Sequence, residues 1–181
     1  MIEMRFHGRG GQGAVTSAEL VARAAIDTGK YATAFPSFGP ERRGAPVVAF
    51  ARVDDAPVRL RSKIYAPDVV VVLDPSLLGI ADPSDGLKSD GMIIINTSHD
   101  ADHIRKELSF NGKVTVVDAS LIAREVIGLP ITNTTMVGAL LKGTGLLPVE
   151  ALEKPFKERF GKIAGKNLQA MKRAYEEAVI G

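Results

Sequence analysis

The segment GRGGQG, residues 8–13, sets Gly8, Gly10 and Gly13 in a G-x-G-x-x-G spacing between a short alternating run and a helical pattern. Glycines there permit positive φ and close approach of a ligand, and the free amides and positive dipole at a helix start favour a phosphate or carboxylate. Gly8, Arg9, Gly10, Gly11, Gln12 and Gly13 are therefore the first candidates for a ligand or partner contact. Arg42 and Arg43 come next. They sit in SFGPERRGAP, residues 37–46, a stretch punctuated by glycine and proline, where a guanidinium can reach an anion or a partner protein. With Phe35 and Phe38 they have the composition of an interface anchor. Asn133 and Thr134, at the start of a later helical pattern, complete the set.

Other chemistries lack their residues. The chain has no cysteine, which removes disulfides, thiolate metal sites and cysteine-ligated iron–sulfur clusters. Of the three histidines, His99 and His103 are four apart, but Asp100 and Asp102 between them read as a turn or cap, so the pair is expected on the surface rather than on a metal. No G-x-x-x-x-G-K-[ST] occurs, and no Ser-His-Asp spacing or poised carboxylate pair stands out. A nicotinamide or flavin site needs an acid at the end of the second strand; Thr33, Ala34 and Phe35 stand there, and the next acid is Glu41.

These residues need a scaffold. Ile2, Met4 and Phe6 alternate with polar neighbours as a strand, and Val15, Ala18, Val21, Ala22, Ala25 and Ile26 recur at helical spacing until Gly29. Residues 31–35 read as a second strand. Residues 47–53 and 58–62 read as two strands of a hairpin turning at Asp54 and Asp55. DVVVVLD, GMIIIN and KVTVVD are continuous apolar runs of the kind found in central parallel strands, separated by helical patterns near 76–80, 101–108 and 119–128. Asn133 or Thr134 is expected to cap a helix bearing Met136, Leu140 and Leu141 and ending at Gly143 and Gly145. Pro148 opens another, Pro155 interrupts it near Lys154, and a last amphipathic helix carries Leu168, Met171, Tyr175 and Ala178. The sum is one domain, 1–181, of the α/β class: a three-layer Rossmann-like fold with a mixed, largely parallel sheet containing an inserted β-hairpin.

At 181 residues and 45% hydrophobic content the chain can bury one sizeable core. Its formal net charge of +2 and lack of an aromatic-plus-basic platform give no reason to expect nucleic acid. Its apolar runs are too short to span a bilayer and its start has no signal-peptide pattern, so a cytoplasmic protein without membrane contact is expected.

Four long motifs in order, RFHGRGGQGAVTSAE, AFPSFGPERRGAPVVAFARVDD, RLRSKIYAPDVVVVLDPSLL and NTTMVGA, closely resemble the gamma subunit of pyruvate or 2-ketoisovalerate ferredoxin oxidoreductases, over essentially the whole chain. The resemblance implies one subunit of a 2-oxoacid:ferredoxin oxidoreductase, with pyruvate the first expected substrate, partnered by alpha, beta and delta subunits and reaching ferredoxin through the complex. It implies thiamine diphosphate, Mg and [4Fe-4S] clusters in the partner chains, none held by this chain alone, and coenzyme A as a shared ligand. No catalytic residue is carried over. Two other readings compete: a free-standing NAD(P)-binding oxidoreductase and a purely structural subunit of the same complex.

Overall fold

The computed structural model describes residues 1–37 and 44–181. Its strands are β1 (Ile2–Arg9), β2 (Tyr31–Pro36), β3 (Pro46–Asp54), β4 (Val69–Val72), β5 (Met92–Asn96), β6 (Lys113–Val117) and β7 (Val179–Ile180). They form one seven-stranded sheet in the order β2-β3-β1-β4-β5-β6-β7. Strands β1, β4, β5 and β6 are parallel neighbours, while β3 runs antiparallel between β2 and β1, and β7 antiparallel to β6. The helices are α1 (Ala14–Asp27), α2 (Ala101–Leu108), α3 (Ala119–Val126), α4 (Asn133–Thr144), α5 (Glu153–Phe160) and α6 (Ala164–Glu177).

Continuous apolar runs become central strands because both sheet faces are covered. Every residue of β4 and β5 is buried. Val69, Val71, Met92 and Ile94 pack with Met4 and Phe6 against α1, α3, α4 and α6. Val70, Val72, Ile93 and Ile95 point the other way, onto Ile104 of α2, Leu78, Leu87 and Phe110. Each fully buried aliphatic side chain contributes about 1.5–3 kcal/mol, so these strands anchor the fold. Helices end where the chain asks them to. Thr28 and Gly29, the latter at φ +86°, close α1, and the Asp100 and Asp118 carboxylates cap α2 and α3 by accepting the His103 and Leu121 amides at 2.8 and 2.9 Å.

Several expectations need correction. The hairpin is β2 with β3, and residues 58–62 form no strand: β3 already has β2 on one side and β1 on the other, so no ladder is open to them. The helical pattern at 76–80 shrinks to a 3-10 turn, Pro75–Leu77, capped by Asp74. Helix α4 begins one residue earlier than a cap at Asn133 would put it; Thr132 is the cap residue, and the Asn133 Oδ1 accepts the Thr134 amide at 2.8 Å from the first helical position. Gly143 lies inside α4, and Gly145, at φ +62°, ends it. The break near Pro155 falls slightly upstream, where a 3-10 turn, Val149–Leu152, passes into α5, leaving the proline in the first turn of that helix. Phe156 and Phe160 pair edge to face at 5.6 Å. The edge strand β7 had no recognisable pattern in its two residues. Among the described residues no helix is long and apolar enough to cross a membrane.

Candidate functional site

The carboxyl ends of β1 and β4 lie side by side at the point where the chain leaves β1 for one side of the sheet and later resumes on the other. Doubly wound sheets hold ligands at such a switch point. The glycine loop rises here from β1. Gly11, at φ +92°, and Gly13, at φ +83°, take the left-handed conformation that turns the chain into α1. The first intrahelical bond joins the Ser17 amide to the Gly13 carbonyl, so the amides of Ala14, Val15 and Thr16 have no acceptor within the helix. No acidic residue occupies the first turn of α1 or of α4, so neither dipole is offset locally.

Three sequence-distant motifs meet at this edge. Asn133, at the N-terminus of α4, lies on Gly13: a Cβ there would approach the Asn133 Cγ to 3.0 Å, which is why position 13 is glycine. The Ser17 hydroxyl bridges both helices, donating to the carbonyls of Asn133 (3.1 Å) and Gly13 (3.2 Å). The N-termini of α1 and α4 are thereby held together. On the other side the Gly10 amide donates to the Ala45 carbonyl at 2.8 Å and the Gly44 amide to the Gly10 carbonyl at 3.2 Å. The segment that carries Arg42 and Arg43 thus rejoins the described chain at the glycine loop; Phe38, Arg42 and Arg43 themselves lie outside the described residues.

Not every candidate faces outward. Arg9 folds back: its Nε donates to Asp74 Oδ2 at 3.2 Å, Nη2 to the Ser76 hydroxyl at 2.7 Å and Nη1 to the Gly44 carbonyl at 3.1 Å. Gln12 accepts the Arg9 amide at 2.7 Å and donates to Asp74 Oδ2 at 2.7 Å. Asp74, which the sequence reading missed, is the hub of the loop. Burial would raise its carboxyl pKa, but the Ser76 hydroxyl, the Gln12 amide group, the Ser76 backbone amide and the Arg9 charge outweigh that and hold it below the usual carboxylate range. The Arg9–Asp74 pair is locally neutral, so the positive helix ends set the sign of the field. Thr134 is fully buried, its hydroxyl donating to Asn167 of α6 at 2.8 Å. Further along the same motif Gly138 has no room for a side chain, since a Cβ would strike the Met171 carbonyl. Thr134 and Gly138 therefore serve the α4–α6 contact, while Asn133 lies against the loop.

The geometry does not suit a dinucleotide. The antiparallel neighbour β3 brings Pro46 to this edge, and the acid beyond the parallel neighbour β4, Asp74, is taken up by Arg9, Gln12 and Ser76 rather than left for a ribose. Phe35 packs on Phe50 at 5.2 Å rather than standing free. His99 and His103 stack at 4.1 Å on the surface, and no group of three or more His, Cys, Asp or Glu able to hold a metal occurs among the described residues.

Comparison with known proteins gives a consistent result. Residues 3–177 match the family model described as pyruvate ferredoxin/flavodoxin oxidoreductase. The common gamma subunit of the pyruvate/ketoisovalerate oxidoreductases of Thermococcus litoralis is 52% identical over 182 residues, covering 99% of this chain and 98% of its own. The crystal structure of pyruvate oxidoreductase subunit PORC from Thermotoga maritima superimposes with a TM-score of 0.89 at 42% identity, covering 99% and 98% of the two chains. A 2-oxoglutarate:ferredoxin oxidoreductase from Magnetococcus marinus, solved with 2-oxoglutarate, coenzyme A and succinyl-CoA bound, shares the fold at a TM-score of 0.77 and 18% identity, over 97% of this chain and 30% of that one.

Proposed function

The chain belongs to the pyruvate ferredoxin/flavodoxin oxidoreductase family as a gamma subunit, and on that footing we propose that its glycine loop holds the phosphate-bearing part of coenzyme A in the assembled enzyme. The complex, a cytoplasmic assembly with alpha-, beta- and delta-type subunits, would convert a 2-oxoacid, pyruvate first, coenzyme A and oxidised ferredoxin to acyl-CoA, CO2 and reduced ferredoxin. Thiamine diphosphate with Mg supplies the decarboxylation and [4Fe-4S] clusters the electron transfer, both from partner subunits, in keeping with a chain that has no cysteine. Alone, this chain is expected to reduce no electron acceptor with pyruvate and to bind no iron on reconstitution.

The observation that carries the reading is the set of open amides at residues 14–16, beside the left-handed Gly11 and Gly13, with a second helix N-terminus held against them. Coenzyme A presents a pyrophosphate and a ribose phosphate, ligands of the charge such a cradle favours. Coenzyme A is bound in the Magnetococcus enzyme that shares this fold. A second reading, pure buttressing of the thiamine-binding subunits, is favoured by the inward-turned Arg9 and Gln12, which stiffen the loop without offering it a charged side chain.

Gly11→Ala separates the two. A Cβ at Gly11 meets nothing within 4 Å, so the change adds about 1–2 kcal/mol of backbone strain without a clash and disfavours the left-handed turn that presents the amides. In assembled mutant complex the KM for coenzyme A should rise about tenfold, equivalent to about 1.4 kcal/mol of binding, while coenzyme-independent decarboxylation and cluster reduction keep their rates. Equal losses in both half-reactions, or an unchanged coenzyme A dependence, would leave the subunit with the buttressing role.

A further inference from the structure

On the sheet face opposite α1, strands β1 and β3 carry Arg5, His7, Phe50 and Arg52, all buried. Residues 63–65 and 82–85 close over the β1 end of this face and leave a cleft of about 220 Å³, whose lining includes Arg5, His7, Ser37, Phe50, Lys63 and Asp85. Gly86, at φ +71°, packs so closely on the Tyr65 carbonyl that no Cβ could fit, which locks the two covering segments together. The cleft is thus a constructed feature of the fold and lies on the other side of the sheet from the helix N-termini described above.

Its floor carries polar groups that are only partly engaged by the protein. Arg5 Nε donates to His7 Nε2 at 2.9 Å, and Arg5 Nη2 donates to the Pro83 carbonyl at 2.8 Å and to the Asp85 carbonyl. His7 is only 8% exposed. Because its Nε2 accepts from a guanidinium, the neutral ring carries its proton on Nδ1, and that N–H has no acceptor among the described residues. Burial, reinforced by the Arg5 charge, pushes the His7 pKa down to about 4, so the ring stays in this neutral, donating form at physiological pH. The Ser37 hydroxyl likewise makes no bond among the described residues, and Lys63 stands at the rim in no ion pair there. These donors open onto the cleft rather than being sealed in the core, so an acceptor entering it can pair with them in place of water.

Charge and shape narrow the ligand. Arg5 and Lys63 are balanced by Asp82 and Asp85, which would repel a dianion but leave room for one negative charge placed at the donors. Val48, Phe50 and Ile64 supply an apolar wall. The volume is below the range of about 300–1,000 Å³ typical of drug-sized ligands. We propose that this cleft is a binding site for a short-chain organic carboxylate, its oxygens on His7 Nδ1, the Ser37 hydroxyl and Lys63, and its aliphatic end on Val48, Phe50 and Ile64. The site is separate from the glycine loop and does not depend on the role assigned to that loop.

Lysine acetylation of the purified complex, read by peptide mass spectrometry, tests it, with Lys63 as reporter and the distant Lys172 as internal standard. Isobutyrate is the probe, isobutyramide its uncharged counterpart, and inorganic phosphate the competing oxyanion. Isobutyrate at about ten times its Kd should slow Lys63 labelling about tenfold by mass action while leaving Lys172 unchanged, and isobutyramide should do nothing. Ser37→Ala and His7→Phe should each weaken the protection, the first without touching the buried floor, so a folding defect in the second does not decide the matter. Protection by phosphate but not by isobutyrate, protection by isobutyramide equal to that by the acid, or a Lys63 that a partner subunit already shields from reagent would overturn the proposal.

Discussion

On the helix side of β1 and β3, Met4, Phe6, Ala49, Ala51 and Val53 meet α1 in a wholly apolar layer. On the other side of the same two strands Glu3, Arg5, His7 and Arg52 are also largely withdrawn from water, yet each must find a polar partner. Arg52 donates from Nε to Glu3 Oε1 at 2.7 Å and lays its guanidinium over the Phe35 ring, 5.6 Å from the centroid, while its buried Nη1 has no partner among the described residues. The first face is held by transfer from water and close packing, which tolerate no specific partner and need none. The second is held by pairings whose failure leaves a charge in a dry place. A volume change should therefore damage one face, and a charge change the other.

The largest effect belongs to the apolar face. Phe6→Ala should lower the unfolding free energy by about 4 kcal/mol, read from urea titrations, because the ring is fully enclosed and its cavity cannot collapse between a sheet and α1. On the polar face, Glu3→Leu should cost about 3 kcal/mol although it adds apolar surface, since it strips Arg52 of its one ionic partner among the described residues. A loss well below 1 kcal/mol there would erase the distinction between the faces.

Of the two faces, acid should reach the polar one. The His7 pKa falls from 6.5 in the open chain to about 4 in the folded one, so between these values the unfolded state holds the extra proton and stability declines as pH falls. The loss amounts to about 2 kcal/mol by pH 5 and is complete below about pH 4. His7→Gln, which keeps an acceptor for Arg5 and cannot titrate, should flatten this part of the pH profile; an unchanged slope would place the acid sensitivity elsewhere. The smallest effect sharpens the comparison most. The double change Glu3→Leu with Arg52→Met should fall within about 1 kcal/mol of the parent, because a buried ion pair replaced as a unit by apolar groups leaves no unpaired charge.

The same division explains what could be read from residues alone. The β1 alternation, the runs of β4, β5 and β6, and the spacing of α1 and α2 follow from apolar periodicity, which the helix side obeys. Residues 58–62 keep the alternation of a strand, Val58 and Leu60 against Arg59 and Arg61, but strand pairing needs a free edge, a property of the whole sheet. Strand β7 is two residues long and owes its existence to the open edge of β6. At the site, the glycines and the nearness of a helix start were legible, because backbone freedom is written in residue type. The inward turn of Arg9 and Gln12 was not, since it depends on Asp74, more than sixty positions away. Nor was the split role of NTTMVGA, in which Asn133 touches Gly13 while Thr134 and Gly138 serve the α4–α6 crossing.

The central claim is that the helix N-termini at the glycine loop meet a phosphate of coenzyme A. Cryo-electron microscopy of the purified complex with coenzyme A bound tests it most directly. The account predicts phosphate density within hydrogen-bond distance, about 2.7–3.2 Å, of amides among residues 11–16. Coenzyme A resolved on partner subunits, with the loop of residues 8–13 touching only protein, would contradict it.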